Sequence, residues 1–299
     1  MESLTKAKDR DVISKYGKLK GWDICNSLGL PSFGDVYILS DYIDVNNPKI
    51  KELFGQEPLL CRTDAPIGQG YKMIRGRDVK LDNINSYLSE VKKCSKDGII
   101  LMSKHPSTML TGHYTPRYKT NGAIMAVFEK EDRILIDYVG PGFDVGDITR
   151  GKTIHTAISI PWDSIHEKPI HNYKDARMIG EGLFQITDEQ YQVSRNNRIK
   201  ELTLNLKEQE IDEIEDSIPK ETPKLDYKLF KQLCDECIDK IIYGNFQMPS
   251  KPFGIMMNIY EDKFCVFEVW NSQLLSDKTC FVILLNFPNL SSSLISSLL

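Results

Sequence analysis

Two pairs of apolar runs, each joined by a three-residue charged turn, constrain the fold most. Residues 123–129 and 133–139 flank Lys130-Glu131-Asp132, and residues 253–260 and 264–270 flank Glu261-Asp262-Lys263. Runs of this length rich in Ile, Val, Phe and Met read as strands, and so short a turn between them requires antiparallel pairing. Apolar runs at 36–39, 59–62, 98–102 and 154–160 read as further strands. Helical spacing intervenes at Trp22, Cys25 and Leu28, at 46–57, and at Ile84, Tyr87, Leu88 and Val91. It returns over the charged stretch 187–216 and over 226–243. The fold class expected is α+β with mixed or antiparallel sheets.

The chain has 299 residues and a net charge of −4, enough for one large or two ordinary domains. Mild acidity gives no general reason to expect nucleic acid or an anionic membrane as partner, so any basic site must be local. Seven scattered cysteines suggest no disulfide framework and point to a reducing, cytoplasmic setting. Residues 1–20 are charged throughout, which is not the pattern of a secretory leader. Residues 218–223, with two prolines, read as a linker. The Ser- and Leu-rich tail 280–299 is interrupted by Asn286, Pro288 and Asn289, whereas a membrane anchor wants about 20 uninterrupted apolar residues.

Chemistry concentrates in few places. The strand 59–62 delivers Arg62 to its end, before a turn and a loop with three glycines, Lys72, Arg75 and Arg77. Glycine lets backbone N–H groups approach a ligand and arginine forks match phosphate oxygens, so this stretch reads as a polyphosphate cradle or a basic surface hairpin. A second glycine-rich loop, 140–152, reads as a ligand-covering loop or a cluster of turns. Within it Gly146 to Thr153 formally satisfies the phosphate-binding pattern G-x-x-x-x-G-K-T, but residues 154–160 beyond it read as strand rather than the long helix that pattern needs. Cys234-Asp235-Glu236-Cys237 lies in a helical pattern and finds no second ligand pair for zinc. Five dispersed histidines form no metal motif, though His105 comes directly after a strand and can reach a ligand. Asn258 and Glu268 face each other across the last hairpin with Asn271 beyond, oxygen donors suited to magnesium.

In order along the chain, these pieces resemble the ATP-binding region of phosphoenolpyruvate synthases and pyruvate phosphate dikinases, members of the ATP-grasp superfamily. Lys20-Gly21 with Gly29-Leu30-Pro31 is similar to the opening glycine–lysine turn and following Gly-Leu-Pro strand start. Cys61-Arg62-Thr63-Asp64 is similar to the family's strand end, whose arginine contacts phosphate. Residues 99–105 stand where the family places its hinge beside adenine, with Ser103-Lys104-His105 instead of a glutamine. Phe267-Glu268-Val269-Trp270-Asn271 is like the closing metal-binding strand, and Asn258 stands where an acid is expected.

The resemblance implies an ATP-grasp module of two lobes closing on a nucleotide. Residues 1–96 would form the phosphate-contacting lobe and 97–275 the adenine and metal side, with a linker near 217–224 and a terminal strand and tail at 276–299. It implies ATP and Mg2+ as cofactors, with Arg62, Arg75 and Arg77 acting on the transferred group. Lys20, Arg62, Met102 and Lys104 would hold the nucleotide, and Asn258, Glu268 and Asn271 the metal. The expected activity is that of an ATP-dependent ligase or phosphotransferase acting on an unidentified small-molecule acceptor, and the alternative is a catalytically silent nucleotide-binding or assembly protein.

Overall fold

The computed structural model describes residues 4–32, 34–69, 73–74, 76–128, 133–161, 182–204, 208–244 and 253–271. The first hundred residues supply β1 (Leu4–Lys6), α1 (Arg10–Ile13), α2 (Gly17–Ser27), β2 (Tyr37–Leu39) and α3 (Pro48–Phe54). They continue with β3 (Leu59–Asp64), β4 (Arg77–Val79), α4 (Ile84–Cys94), β5 (Ile99–Lys104) and α5 (Pro106–Thr111). Local signals set the helices. Asn47 caps α3 with Pro48 in its first turn, and the apolar stripe Ile84, Tyr87, Leu88 and Val91 fixes the buried face of α4. The strands form a five-stranded antiparallel sheet in the order β1-β2-β5-β3-β4. A division after Lys96 therefore cuts through this sheet, because β5 is its central strand. One face packs Leu39, Leu59, Cys61, Ile100 and Met102 against α3 and α4.

The second sheet begins with the first of the two expected hairpins, β6 (Ala123–Phe128) and β7 (Arg133–Val139). Then come α6 (Val145–Thr149), β8 (Thr156–Pro161), β9 (Gly182–Gln185), α7 (Asp188–Thr203) and α8 (Glu208–Ser217). Next are α9 (Tyr227–Leu233), a π turn (Cys234–Ile238) and α10 (Asp239–Ile242). The second hairpin, β10 (Phe253–Tyr260) and β11 (Lys263–Asn271), ends the described residues. The sheet is antiparallel with order β11-β10-β6-β7-β8-β9, so the late hairpin docks beside the early one. One face buries Phe253, Ile255, Met257 and Ile259 against α9 and the π turn, while α6, α7 and α8 cover part of the other. The segment after α8 does not behave as a free linker. Its carbonyls at Ile218, Pro219 and Lys220 accept hydrogen bonds from Arg195, Tyr191 and Gln192 of α7. The tail 276–299 and the 130–132 turn lie outside the described residues.

The two sheets meet through a shared apolar cluster. Ile38, Ile99 and Leu101 of the first pack with Tyr260 and Cys265 of the second, and Leu19 of α2 fills the joint. Helix α2 lies so close to β11 that a Cβ at Gly21 would stand 2.8 Å from the Val269 carbonyl oxygen. The architecture is α+β with two antiparallel sheets. Among the described residues no helix is long and apolar enough to cross a membrane.

Candidate functional site

The joint between the sheets gathers charge from three elements. Arg62 leaves β3 and its guanidinium donates to Oε2 of Glu268 on β11 at 2.5 Å, with side chains 9% and 29% exposed. Beside this pair Lys18, in the first turn of α2, donates from Nζ to the Thr63 carbonyl at 2.7 Å. Asp64, at the end of β3, accepts the backbone N–H groups of Lys18 (2.8 Å) and Leu19 (3.4 Å). Tyr16 precedes α2 and offers no capping side chain, so the Asp64 carboxylate, 46 residues beyond Lys18, caps the helix. Burial and the neighbouring Arg62 guanidinium push the Lys18 ammonium below the ordinary lysine value. Burial raises Asp64 above the ordinary carboxylate range, opposed by Lys18.

Register places further groups on the same side of the second sheet. One rung runs Ala157, Asp137, Met125, Met256, Glu268 across five strands. Directly paired residues share a face, so Asp137 and Glu268 stand at either end of two methionines, three strand spacings or about 14 Å apart. The next rung, Gly254, Val127, Leu135 and Ser159, is mostly half-buried, so this face of the sheet stays partly open from β10 to β8. Asp137 keeps some solvent contact, yet the crowded protein around it raises its carboxyl to about 7.

The expected residues divide. Arg62 and Glu268 converge. Lys20 is exposed on α2, and the lysine at the joint is Lys18. The signal for Lys18 was present in sequence, because Gly17 precedes it directly as in the glycine–lysine turn. Arg77 pairs in register with Cys61, whose side chain is in the core shared with α4, and so it lies on the opposite face of the sheet from Arg62. There it stacks over Tyr87 at 4.5 Å and donates to both carboxylate oxygens of Glu90. Met102 is wholly buried in that same core, with its strand hydrogen-bonded on both sides, and so presents no slot for adenine. Lys104 alternates to the same far face and is exposed. Arg75 lies outside the described residues. Asn258 Oδ1 accepts the Val145 N–H at 3.2 Å and Nδ2 donates to Tyr260 Oη at 3.4 Å, so α6 engages the oxygen expected to hold metal. Asn271 pairs in register with Phe253. Among the described residues no three His, Cys, Asp or Glu side chains gather into a metal-binding group.

No protein-family model matches this chain, and no curated protein matches it. The other motifs resolve structurally. In the 146–153 pattern a helix, α6, occupies the place of the phosphate loop and a strand comes after it, the reverse of the order such a loop requires. Burial pushes Cys234 up to about 12 and Cys237 higher still, which makes both inert thiols of a helix core. His105 is buried as the cap of α5, with Nδ1 2.7 Å from Ser107 Oγ, and packs edge-on against Tyr114 and Tyr260.

Proposed function

We propose that the joint between the two sheets binds the phosphates of Mg-ATP, and that the chain is an ATP-dependent ligase or phosphotransferase of ATP-grasp type. One observation carries the reading: Arg62 and Glu268, assigned to phosphate and metal from sequence alone, touch across 206 residues. A guanidinium bound to a carboxylate is a pair that a metal–phosphate group can replace, phosphate on Arg62 and cation on Glu268. The donor set fits that group. Magnesium asks for only one or two protein carboxylates and keeps waters beside substrate phosphates, so Glu268 satisfies its protein share without Asn258. When bound, the ion would neutralise charge between the terminal phosphates.

In this reading the chain's own residues orient and neutralise. Lys18 and Arg62 hold phosphate oxygens, and burial makes their charge more effective than it is at a wet surface. Asp64 fixes the first turn of α2 and with it the position of Lys18. Met256, paired in register with Glu268, sets an apolar side chain next to that carboxylate. The acceptor is a carboxylate or another small phosphorylatable group. Isothermal titration with ATP in the presence and absence of magnesium tests the proposal. Binding that needs magnesium and disappears in Glu268→Gln is the expected result, and unchanged affinity in Glu268→Gln and Arg62→Ala together sinks it.

A second reading has its own support. With Asn258 committed to α6, the described residues supply a single carboxylate to the metal, and a protein that binds nucleotide without turning it over is consistent with that donor set. Saturable ATP binding with no ADP release across a panel of small carboxylates and alcohols favours it.

A further inference from the structure

A cavity of about 360 Å³ lies between the 143–153 segment and α7, formed by residues distinct from those around Arg62 and Glu268. Lys152 and Thr153 line it from the loop before β8, Asn197 and Arg198 from α7, and the Phe143 ring adds an apolar wall. Thr153 is only 8% exposed, and its hydroxyl finds no hydrogen-bond partner among the described residues. A buried hydroxyl left unpaired costs about 1–3 kcal/mol, so its retention beside a cavity points to a partner that enters.

The cations around this cavity already hold an oxyanion. Lys152 pairs with Oε2 of Glu201, Arg198 stands 3.6 Å from the same oxygen, and Arg150 is 3.7 Å from Oε1. Glu201 is the more exposed member, a long side chain 39% exposed on α7. Arg198 is held in place: it is buried, donates from Nε to the Gly142 carbonyl at 3.0 Å, and faces Asp147 at 3.4 Å and Asp144 at 3.8 Å. If Glu201 turns outward, Arg150, Lys152 and Arg198 oppose only Asp144 and Asp147, which leaves one uncompensated positive charge at the cavity.

We propose that this cavity seats a small-molecule oxyanion, a carboxylate or a phosphate ester, in the place now held by the Glu201 carboxylate. Lys152 and Arg198 supply charge, Thr153 Oγ1 donates to an anion oxygen, and the Phe143 wall meets the apolar remainder of the ligand. The inference stands apart from the nucleotide reading.

The test is a titration of the full chain with inorganic phosphate and, separately, acetate, at constant ionic strength balanced with chloride. Melting temperature and calorimetric affinity are both read. The expected result is stabilisation by at least one of the two anions, and which one acts identifies the class of ligand. Glu201→Gln removes the resident competitor and tightens binding, whereas the isosteric Thr153→Val weakens it about tenfold. Arg62→Ala leaves the response intact, which separates this cavity from the joint between the sheets. Failure of both anions to bind even Glu201→Gln overturns the proposal, as does loss of the response in Arg62→Ala or an unchanged affinity in Thr153→Val.

Discussion

Arg62 and Glu268 lie 206 residues apart in the chain and 2.5 Å apart in the fold, and their contact ties the first sheet to the last strand of the second. Since Arg62 is nearly buried, removing it strands a half-buried carboxylate. Arg62→Ala should cost about 2 kcal/mol, read from urea denaturation. In a double-mutant cycle Arg62→Ala with Glu268→Ala should cost less than the two singles summed. Additive losses would show that the pair does not couple the sheets.

Lys18 and Lys20 sit two residues apart on α2, one against the Thr63 carbonyl and the other exposed. If the joint holds phosphate, Lys18→Met should weaken ATP binding about tenfold or more, the value of one charge-assisted hydrogen bond, and Lys20→Met should leave it unchanged. Equal effects from both would place the phosphates elsewhere.

Gly21 has no room for a side chain. Alanine gains about 1 kcal/mol of helix propensity over glycine, but its Cβ would meet the Val269 carbonyl oxygen at 2.8 Å. Backbone cannot yield as a flexible side chain does, so Gly21→Ala should destabilise by about 1–3 kcal/mol in denaturant melts. A stabilised variant would mean that α2 does not press on β11.

Asp137 makes stability depend on pH in a predictable direction. Its folded value of about 7 lies above the ordinary carboxylate value of 3.8, so between those pH values the folded state holds a proton that the unfolded state has lost. Stability from this group therefore falls as pH rises from about 4 to 7 and then levels off. The difference between wild type and Asp137→Asn in urea midpoint should grow across that window in favour of the variant. A flat difference would mean that the carboxylate is ordinarily solvated.

His155 gives the opposite slope. Wholly buried between the Phe143 and Tyr191 rings, with Nδ1 accepting the Gly140 N–H at 2.9 Å, it is held neutral by burial with its value lowered from 6.5 to about 3. Protonation of the unfolded chain begins first, so this group's share of stability is lost as pH falls from 6.5 toward 3. Its ring proton resonances should stay fixed from pH 8 down to about 4.5. Titration near 6.5 would contradict the buried position.

Much of the fold was legible because its signals are local. The two hairpins and the stripe of α4 each arise from alternation, helical spacing or turn chemistry within a dozen residues. The antiparallel class comes from the same turns, and so does the pairing of Glu268 with the strand that carries Asn258. What the sequence could not determine is which face of each strand meets which partner. A side chain's face is fixed by parity along its strand, but the parity that points toward the other sheet depends on contacts some two hundred residues away. Tertiary structure alone therefore put Arg62 at the joint and turned Arg77, Met102 and Lys104 to the far side. It alone gave the cap of α2 to Asp64 and set Asp137 on the same rung as Glu268.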